Sequence, residues 1–392
     1  MTSQPTSIRR RGAIALLAVS ALALSACAQD KAASPQPSGA SPGAAAGAQA
    51  AASAAVQNGY KGTSTLPDAT SRPGAKGKRV IFISSGQNSI SSSIPLAGQV
   101  EAAKALGWET QLFDGQSNPA LWPGLVRQAI AAKPDAISLQ SIDCPLIAKP
   151  LEEARAAGIK IAASYSFDCD DPKFKGQKHF DAVPAYASAN GDLGEFTRSY
   201  GQLQGEAAIA KLGDKANVLQ FNDEEFRILD YTNEGFQRAI KAGGGKITYS
   251  TFLVSDLGPK LEAKVSGDLL KNPDINVVKS PYTGATLLGI ASGIQKAGRT
   301  GKVFVIGGEG FSPELDLMRK GAVDVVGINP PAWVGWATID SLNSIFNGQK
   351  PVDSGIGWTL VDAQHGLTTK SGEAFDNFPD YRSVYKKAWG VS

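Results

Sequence analysis

Histidine is almost missing from this chain. Its 392 residues contain two, His179 and His365. Neither has ligand spacing to a cysteine, so no metal site is expected. The same scarcity leaves little for acid–base catalysis. Charge of one sign is also missing: 39 Lys and Arg stand against 36 Asp and Glu, a net charge of +3. A nucleic-acid footprint needs clustered basic residues, and the one basic cluster, Arg9-Arg10-Arg11, lies in the N-terminal leader. The apolar run from Ala13 to Leu24 is too short for a good transmembrane span. The loop after the first strand-like run has no G-x-G-x-x-G and no P-loop lysine pattern. Gly307-Gly308-Glu309-Gly310 lacks the serine of a nucleophile elbow. No catalytic residue and no cofactor are expected, and the chain is not read as an enzyme.

What is present begins with a leader. Three arginines, a short apolar run and Leu24-Ser25-Ala26-Cys27 make residues 1–27 read as a signal peptide. The tetrapeptide resembles a lipobox, where bacterial lipoproteins are cut and lipidated on cysteine, here Cys27. The arginines leave open whether export is general or twin-arginine. Residues 28–78 are mostly Ala, Ser, Pro, Gly and Gln. Such a composition buries too little apolar surface to offset ordering entropy, so a disordered tether is expected. Export would place the folded part outside the cytoplasm. An oxidising compartment there permits Cys144 and Cys169 to pair.

The length suggests two domains, and an apolar fraction of 42% supplies a core. Arg79-Val80-Ile81-Phe82-Ile83 reads as a strand buried on both faces. A polar loop follows, then Leu96, Val100, Ala103 and Leu106 at helical spacing up to Gly107. Strand-like runs recur at 110–113, 136–139 and 159–163, with helices near 122–133 and 147–157. Residues 168–191 are polar and irregular. A long helix carrying Leu193, Phe196, Tyr200, Leu203 and Ala207 on one face opens a second series. Its strands are expected at 217–221, 246–252, 276–279, 302–306 and 323–328, and its helices near 233–242, 260–270, 284–297 and 313–320. The alternation argues for right-handed crossovers, parallel sheets and two similar α/β lobes.

Seven short stretches carry a resemblance. They are Gln99-Val-Glu-Ala-Ala-Lys-Ala-Leu-Gly107, Lys133-Pro-Asp-Ala-Ile137, Leu151-Glu-Glu-Ala-Arg-Ala-Ala-Gly-Ile159, Asn233-Glu-Gly-Phe236, Gly289-Ile-Ala-Ser-Gly-Ile-Gln-Lys-Ala-Gly298, Val305-Ile-Gly-Gly-Glu309 and Leu317-Met-Arg-Lys-Gly321. In this order the chain resembles the periplasmic sugar-binding proteins of the ribose- and galactose-binding type, over roughly residues 78–365. The resemblance implies a type 1 periplasmic binding protein: two Rossmann-like lobes with parallel sheets, joined by a three-strand hinge, gripping ligand in the cleft. Crossings are expected near 186–190, 328–331 and 358–364. The N-terminal lobe is expected over 79–187 plus 330–360, and the C-terminal lobe over 188–329 plus 361–392. The sugar-clamping residues of the family depart here. Tyr165-Ser166 replaces an Asp-Arg pair, Asp230 an arginine, Thr283-Gly284 an Asn-Asp pair, Glu309 an aspartate and Asn329 a glutamine.

In open parallel sheets, ligands sit outside the carboxyl ends of the strands. Candidate ligand-binding residues are therefore Ser85, Gln87, Asn88, Gln140, Asp143 and Tyr165 from the first lobe. The second lobe offers Glu225, Phe226, Tyr282, Thr283, Glu309 and Asn329, and Trp333 lies beside a crossing. Asp143 could instead cap the helix after it. The implied function is capture of a small polar solute, a sugar or polyol foremost, for delivery to an ABC importer. Its partners would be the permease and ATPase subunits, with the membrane held through Cys27. No nucleic acid is expected, and the protein is expected to be a monomer. Two alternatives stay open: a sensory receptor of the same fold, and a binder of a planar or aromatic molecule.

Overall fold

The computed structural model describes residues 42–392 apart from 187, 188 and 190. The expected signal peptide, Cys27 and the tether up to residue 41 lie outside the described residues. No described helix is long and apolar enough to cross a membrane.

The first lobe is built on β1 (Arg79–Ser84), β2 (Glu109–Asp114), β3 (Ala136–Gln140) and β4 (Lys160–Ser164). All pair in parallel, in the order β2-β1-β3-β4. The helices α2 (Ile90–Ala105), α3 (Trp122–Ala131) and α4 (Ala148–Ala156) connect them. Every residue of β3 and five of six in β1 are buried, because helices cover both faces of the sheet. The second lobe opens with α5 (Leu193–Leu212). It continues through β5 (Asn217–Asp223), α6 (Arg227–Ala242), β6 (Lys246–Phe252), α7 (Pro259–Lys271) and β7 (Val277–Lys279). Next come α8 (Thr283–Ala285), a wide π turn over Thr286–Ile290, α9 (Ala291–Lys296), β8 (Phe304–Ile306), α10 (Ser312–Arg319) and β9 (Val325–Ile328). Each of the nine strands expected from the sequence coincides with an observed one to within two residues. The sheet order is β10-β9-β8-β7-β5-β6, and the edge strand β10 (Thr359–Asp362) runs antiparallel to β9.

Three expectations need correction. The tether does not continue to residue 78. Pro42–Lys61 form a helix, α1, whose Ala52 and Val56 join the buried cluster of Ala208, Val218, Phe236 and Leu360. Tyr60 stacks on His365 at 3.9 Å and donates to Asp362 Oδ2 at 2.6 Å. The chain then runs along the hinge: Thr63 N donates to Trp358 O, Thr65 N to Gly355 O and Asp68 N to Asp353 O. Arg72 ends this path in the first lobe, wholly buried, 2.7 Å from Asp340. Alanine suits a helix interior, and docking on the second lobe supplies the apolar burial that composition alone did not indicate.

The third crossing lies earlier than 358–364. Ala185 bridges Asp353, and Ser354 N donates to Ala185 O at 3.0 Å, whereas Thr359–Asp362 already pair with β9. The first crossing, expected at 186–190, includes undescribed residues. The C-terminal residues do not stay in the second lobe. After β10 the chain passes back to the first lobe, where α12 (Tyr381–Trp389) packs on α11 (Pro331–Phe346). Trp336 stacks on Trp389 at 5.4 Å, and Arg382 pairs with Glu101 of α2 at 2.8 Å. The long helix α11 had no periodic signal, because it is buried from Trp333 through Ser344.

Breaking the Arg72–Asp340 pair leaves a buried carboxylate whose remaining side-chain donor is Trp389 Nε1 at 2.7 Å. Arg72→Ala is expected to lower unfolding stability by about 3–5 kcal/mol, measured by urea denaturation of the full chain. A loss below about 1 kcal/mol, the level of a surface pair, would remove the N-terminal segment from the folded unit.

Candidate functional site

The carboxyl ends of the two sheets face one another across a seam. β4 ends at Ser164, and Tyr165 follows in a left-handed conformation, φ 48°. A bulky residue there is strained, and such strain gathers where a side chain must be aimed. The aim is across the seam: Tyr165 Oη accepts from Asn329 Nδ2, just after β9, at 2.6 Å.

Glu309 is placed by a loop built for close approach. A Cβ on Gly308 would lie 2.1 Å from Thr283 N, so only glycine fits. Glu314, wholly buried on α10, accepts from Gly308 N at 2.7 Å, Gly310 N at 2.9 Å, Thr283 Oγ1 at 2.6 Å and Thr286 Oγ1 at 2.5 Å. Burial pushes the Glu314 carboxyl up, against the pull of those donors. Tyr200 Oη closes the loop from below, donating to Gly308 O at 2.7 Å. Held in this way, half-buried Glu309 accepts from Thr283 N at 2.6 Å through Oε2. Its Oε1 has no hydrogen-bond partner among the described residues. Lys279, at the end of β7 and wholly buried, is pushed down to about 7 by burial, with Glu309 pulling the other way. Its ammonium donates to Ser280 O at 3.2 Å.

A second acidic group lies beside the first. Tyr282 donates to Asp223 Oδ2 at 2.6 Å, and Glu225 N donates to Oδ1 at 3.1 Å. Burial raises Asp223 from 3.8 to about 6 despite these donors. Phe226 meets Tyr282 edge-on, with centroids 6.0 Å apart. From the first lobe, Asp143 Oδ1 accepts from Phe167 N at 2.8 Å. That bond takes the place of the helix cap considered from sequence, and no side-chain cap bond is formed. Burial raises Asp143 to about 6, partly offset by the Phe167 amide and the Arg227 charge. The guanidinium of Arg227, at the start of α6, binds Asp230 and lies 5.2 Å from the Phe174 ring of the first lobe. Its buried Nε has no partner among the described residues. The loop before α5 closes the rest of the seam: Tyr231 donates to Asp171 at 2.7 Å and stacks on Phe167 at 4.8 Å, and Lys173 pairs with Glu234 at 2.6 Å.

Tyr165, Tyr282, Thr283, Glu309 and Asn329 are thus brought together, with Phe226 at their edge. Gln140 is wholly buried, its amide taken up by Gln99, Ser141 and Ser164. Ser85 is nearly buried, 3.3 Å from Ser92 Oγ. Gln87 bonds to Ser84 and Asp114, and exposed Asn88 accepts from Ser117, so they are tied to the end of β2 and the loop after it. Exposed Glu225 accepts from Val254 N at 2.7 Å. Trp333 does not belong to the seam. It is wholly buried in the first lobe, stacked on Tyr381 at 4.7 Å and donating to Tyr385 Oη at 3.2 Å. Helix α11 turns its ring inward, which closeness to a crossing in sequence did not reveal. Asp223, Arg227 and Lys279 were missed. The available signal for Asp223 and Lys279 was a charged residue closing a buried strand at its carboxyl end.

Cys144 and Cys169 are joined, with Cα atoms 5.1 Å apart. Closing this loop of about 25 residues is worth about 3.5 kcal/mol in the chain-entropy model. Alkylation of exported, denatured, non-reduced protein is expected to leave both unmodified on peptide mapping; labelling of either would show a free thiol.

The raised carboxyls carry a pH signature. The folded Asp223 holds its proton more tightly than the unfolded chain does. Stability from this group is therefore full below about pH 4 and falls as pH rises to about 6, by up to about 3 kcal/mol. Asp223→Asn is expected to flatten that part of the profile in urea titrations between these values. An unchanged slope would show that Asp223 titrates normally.

Residues 80–350 match the periplasmic binding protein domain family. A curated relative, the ABC transporter periplasmic-binding protein YphF of Escherichia coli (strain K12), is 24% identical over 267 residues, 65% of this chain and 77% of its own. An ABC transporter solute-binding protein of Agrobacterium vitis, solved with alpha-D-tagatopyranose, superposes with a TM-score of 0.63 at 21% identity, covering 75% of this chain and 97% of that one. Another from the same organism, solved with allitol, gives 0.61 at 23% identity, covering 74% and 96%. A third, from Actinobacillus succinogenes with D-allose, gives 0.60 at 20% identity, covering 74% and 98%. With well over half its length matched, the chain belongs to the periplasmic binding protein domain family, whose members are substrate-binding proteins and not enzymes.

Proposed function

We propose that the chain is an extracytoplasmic, lipid-anchored solute-binding protein that captures a sugar or polyol between its lobes and delivers it to an ABC importer. The observation that carries this reading is the seam itself. Acceptors (Glu309, Asp223, Asp143), donors (Asn329, Arg227) and aromatic rings (Tyr165, Tyr282, Phe226) gather at the facing ends of both sheets. A neutral polyhydroxy solute uses this mixture well: carboxylates accept from paired hydroxyls, amides serve as donors or acceptors, and rings cover C–H faces. The solutes bound by the three structural relatives are of this class. Tyr165 and Asn329 come from opposite lobes, so a solute in contact with both would favour the closed arrangement. The leader ending at Cys27 supports the anchor and the extracytoplasmic location.

The Glu309 carboxylate is assigned to hydroxyl recognition and Thr283 N to holding it. Glu309→Gln keeps an oxygen for Thr283 N and removes the charge. A charge-assisted hydrogen bond contributes about 1.5–3 kcal/mol, so binding should weaken at least about tenfold, with the ligand-free melting temperature nearly unchanged. The test is thermal melting and calorimetry of the full chain against sugars, polyols, amino acids and aromatic acids. One class should raise the melting temperature, by a stabilisation of about 2.7 kcal/mol at a hundredfold excess over Kd. A flat response across the panel would defeat the reading. A destabilised ligand-free Glu309→Gln with intact affinity would make Glu309 structural.

A further inference from the structure

The buried root of the loop that closes the seam holds a group the solute site does not use. His179 is 5% exposed, yet its ring Nδ1 has no hydrogen-bond partner among the described residues. Buried polar nitrogens without partners are uncommon and costly. A ring nitrogen of His179 and the sulfurs of Cys144 and Cys169 all lie within 4.8 Å of one another, and all three residues are buried. The loop is built to keep them there. The Asp168 carboxylate accepts from Cys169 N at 2.7 Å, from His179 N at 2.9 Å and from Phe180 N at 2.7 Å, tying together two of the three residues. Gly176 N donates to Cys169 O at 2.6 Å, and a Cβ on Gly176 would lie 2.9 Å from Cys169 Cβ. Arg155 Nη1 holds His179 O at 2.8 Å.

We propose that, once the disulfide is reduced, Cys144, Cys169 and His179 form a zinc(II) site whose tetrahedron one water completes. Two thiolates and an imidazole are a donor set that suits a tetrahedral d10 cation, and zinc sites commonly combine them. The step balances. A dithiol reductant gives two electrons and two protons to the Cys144–Cys169 bond, which becomes two thiols while the reductant becomes a disulfide. Zinc(II) then displaces two thiol protons to solvent, and the imidazole binds through a ring lone pair. The sulfurs must separate to about 3.8 Å, as two Zn–S bonds of about 2.3 Å at a tetrahedral angle require. All three donor atoms already lie within 4.8 Å of one another. The site lies at the base of the segment carrying Phe167, Asp171 and Lys173 to the second lobe. Zinc would therefore replace the disulfide as the clasp of that segment under reducing conditions.

The test uses the full chain with Cys27→Ser, which removes the third thiol. The protein is reduced with a phosphine, exchanged anaerobically and titrated with cobalt(II) as a spectroscopic stand-in. One equivalent should bind, giving tetrahedral d–d bands and thiolate-to-cobalt charge transfer, and zinc(II) should displace it. Zinc should raise the melting temperature of the reduced protein and leave the oxidised protein unmoved. His179→Ala and His179→Gln, each checked for native circular dichroism, should weaken binding at least about tenfold. A reduced protein that is folded but binds no cobalt or zinc overturns the proposal. So does a reduced chain that stays unfolded with zinc present, or a pair of His179 variants that bind as tightly as the parent.

Discussion

Four stacked aromatic rings at the hinge set the relation between the two sheets. Tyr186 stacks on Phe196 at 4.0 Å, Phe196 on Trp358 at 4.3 Å, and Trp358 on Tyr200 at 4.3 Å. They come from the segment before α5, from α5 and from the third crossing. Each pair adds about 0.5–1.5 kcal/mol beyond its apolar burial. Trp358 Nε1 also donates to Phe196 O at 3.1 Å, which fixes the ring that the others pack against. The stack continues into the candidate site, because Tyr200 Oη donates to Gly308 O and so supports the loop that carries Glu309. Motion between the lobes must preserve these contacts or exchange them, so the hinge and the seam are mechanically one unit.

The N-terminal segment adds a second constraint. It docks α1 on the second lobe, follows the third crossing from Trp358 back to Asp353, and ends with Arg72 buried against Asp340 in the first lobe. One continuous piece of chain thus touches both lobes and the hinge strand between them. The C-terminal helix α12 braces the first lobe from the same end, with Arg72 N bonded to Ala388 O. A hinge braced in this way restricts the paths by which the seam can open. The seam is left as the place where polar groups are exchanged between partners.

Much of the fold was legible because buried parallel strands are short apolar runs and their helices are amphipathic. Arg79–Ser84 and Ala136–Gln140 are of this kind. The candidate site was legible where it follows such strands. Tyr165, Tyr282, Glu309 and Asn329 stand just beyond β4, β7, β8 and β9, and the sheet ends bring them together. Legibility failed where burial comes from a distant partner. Helix α11 is covered on nearly all sides and shows no stripe, α1 is an alanine-rich helix that docks on α5 and β10, and Trp333 faces inward against α12.

The sequence by itself determined the alternation of strands and helices, the two lobes and the strand ends on which a ligand site would stand. These follow from local periodicity, which each segment carries alone. Only the tertiary structure decided which polar groups face each other. Lys279 becomes a wholly buried amine, pushed down by burial against the pull of Glu309, because β7 lies inside its sheet. His179 reaches Cys144 and Cys169 because the loop after β4 folds back on Asp168. Spacing along the chain gave no sign of either meeting, since each depends on contacts between segments that are remote in sequence.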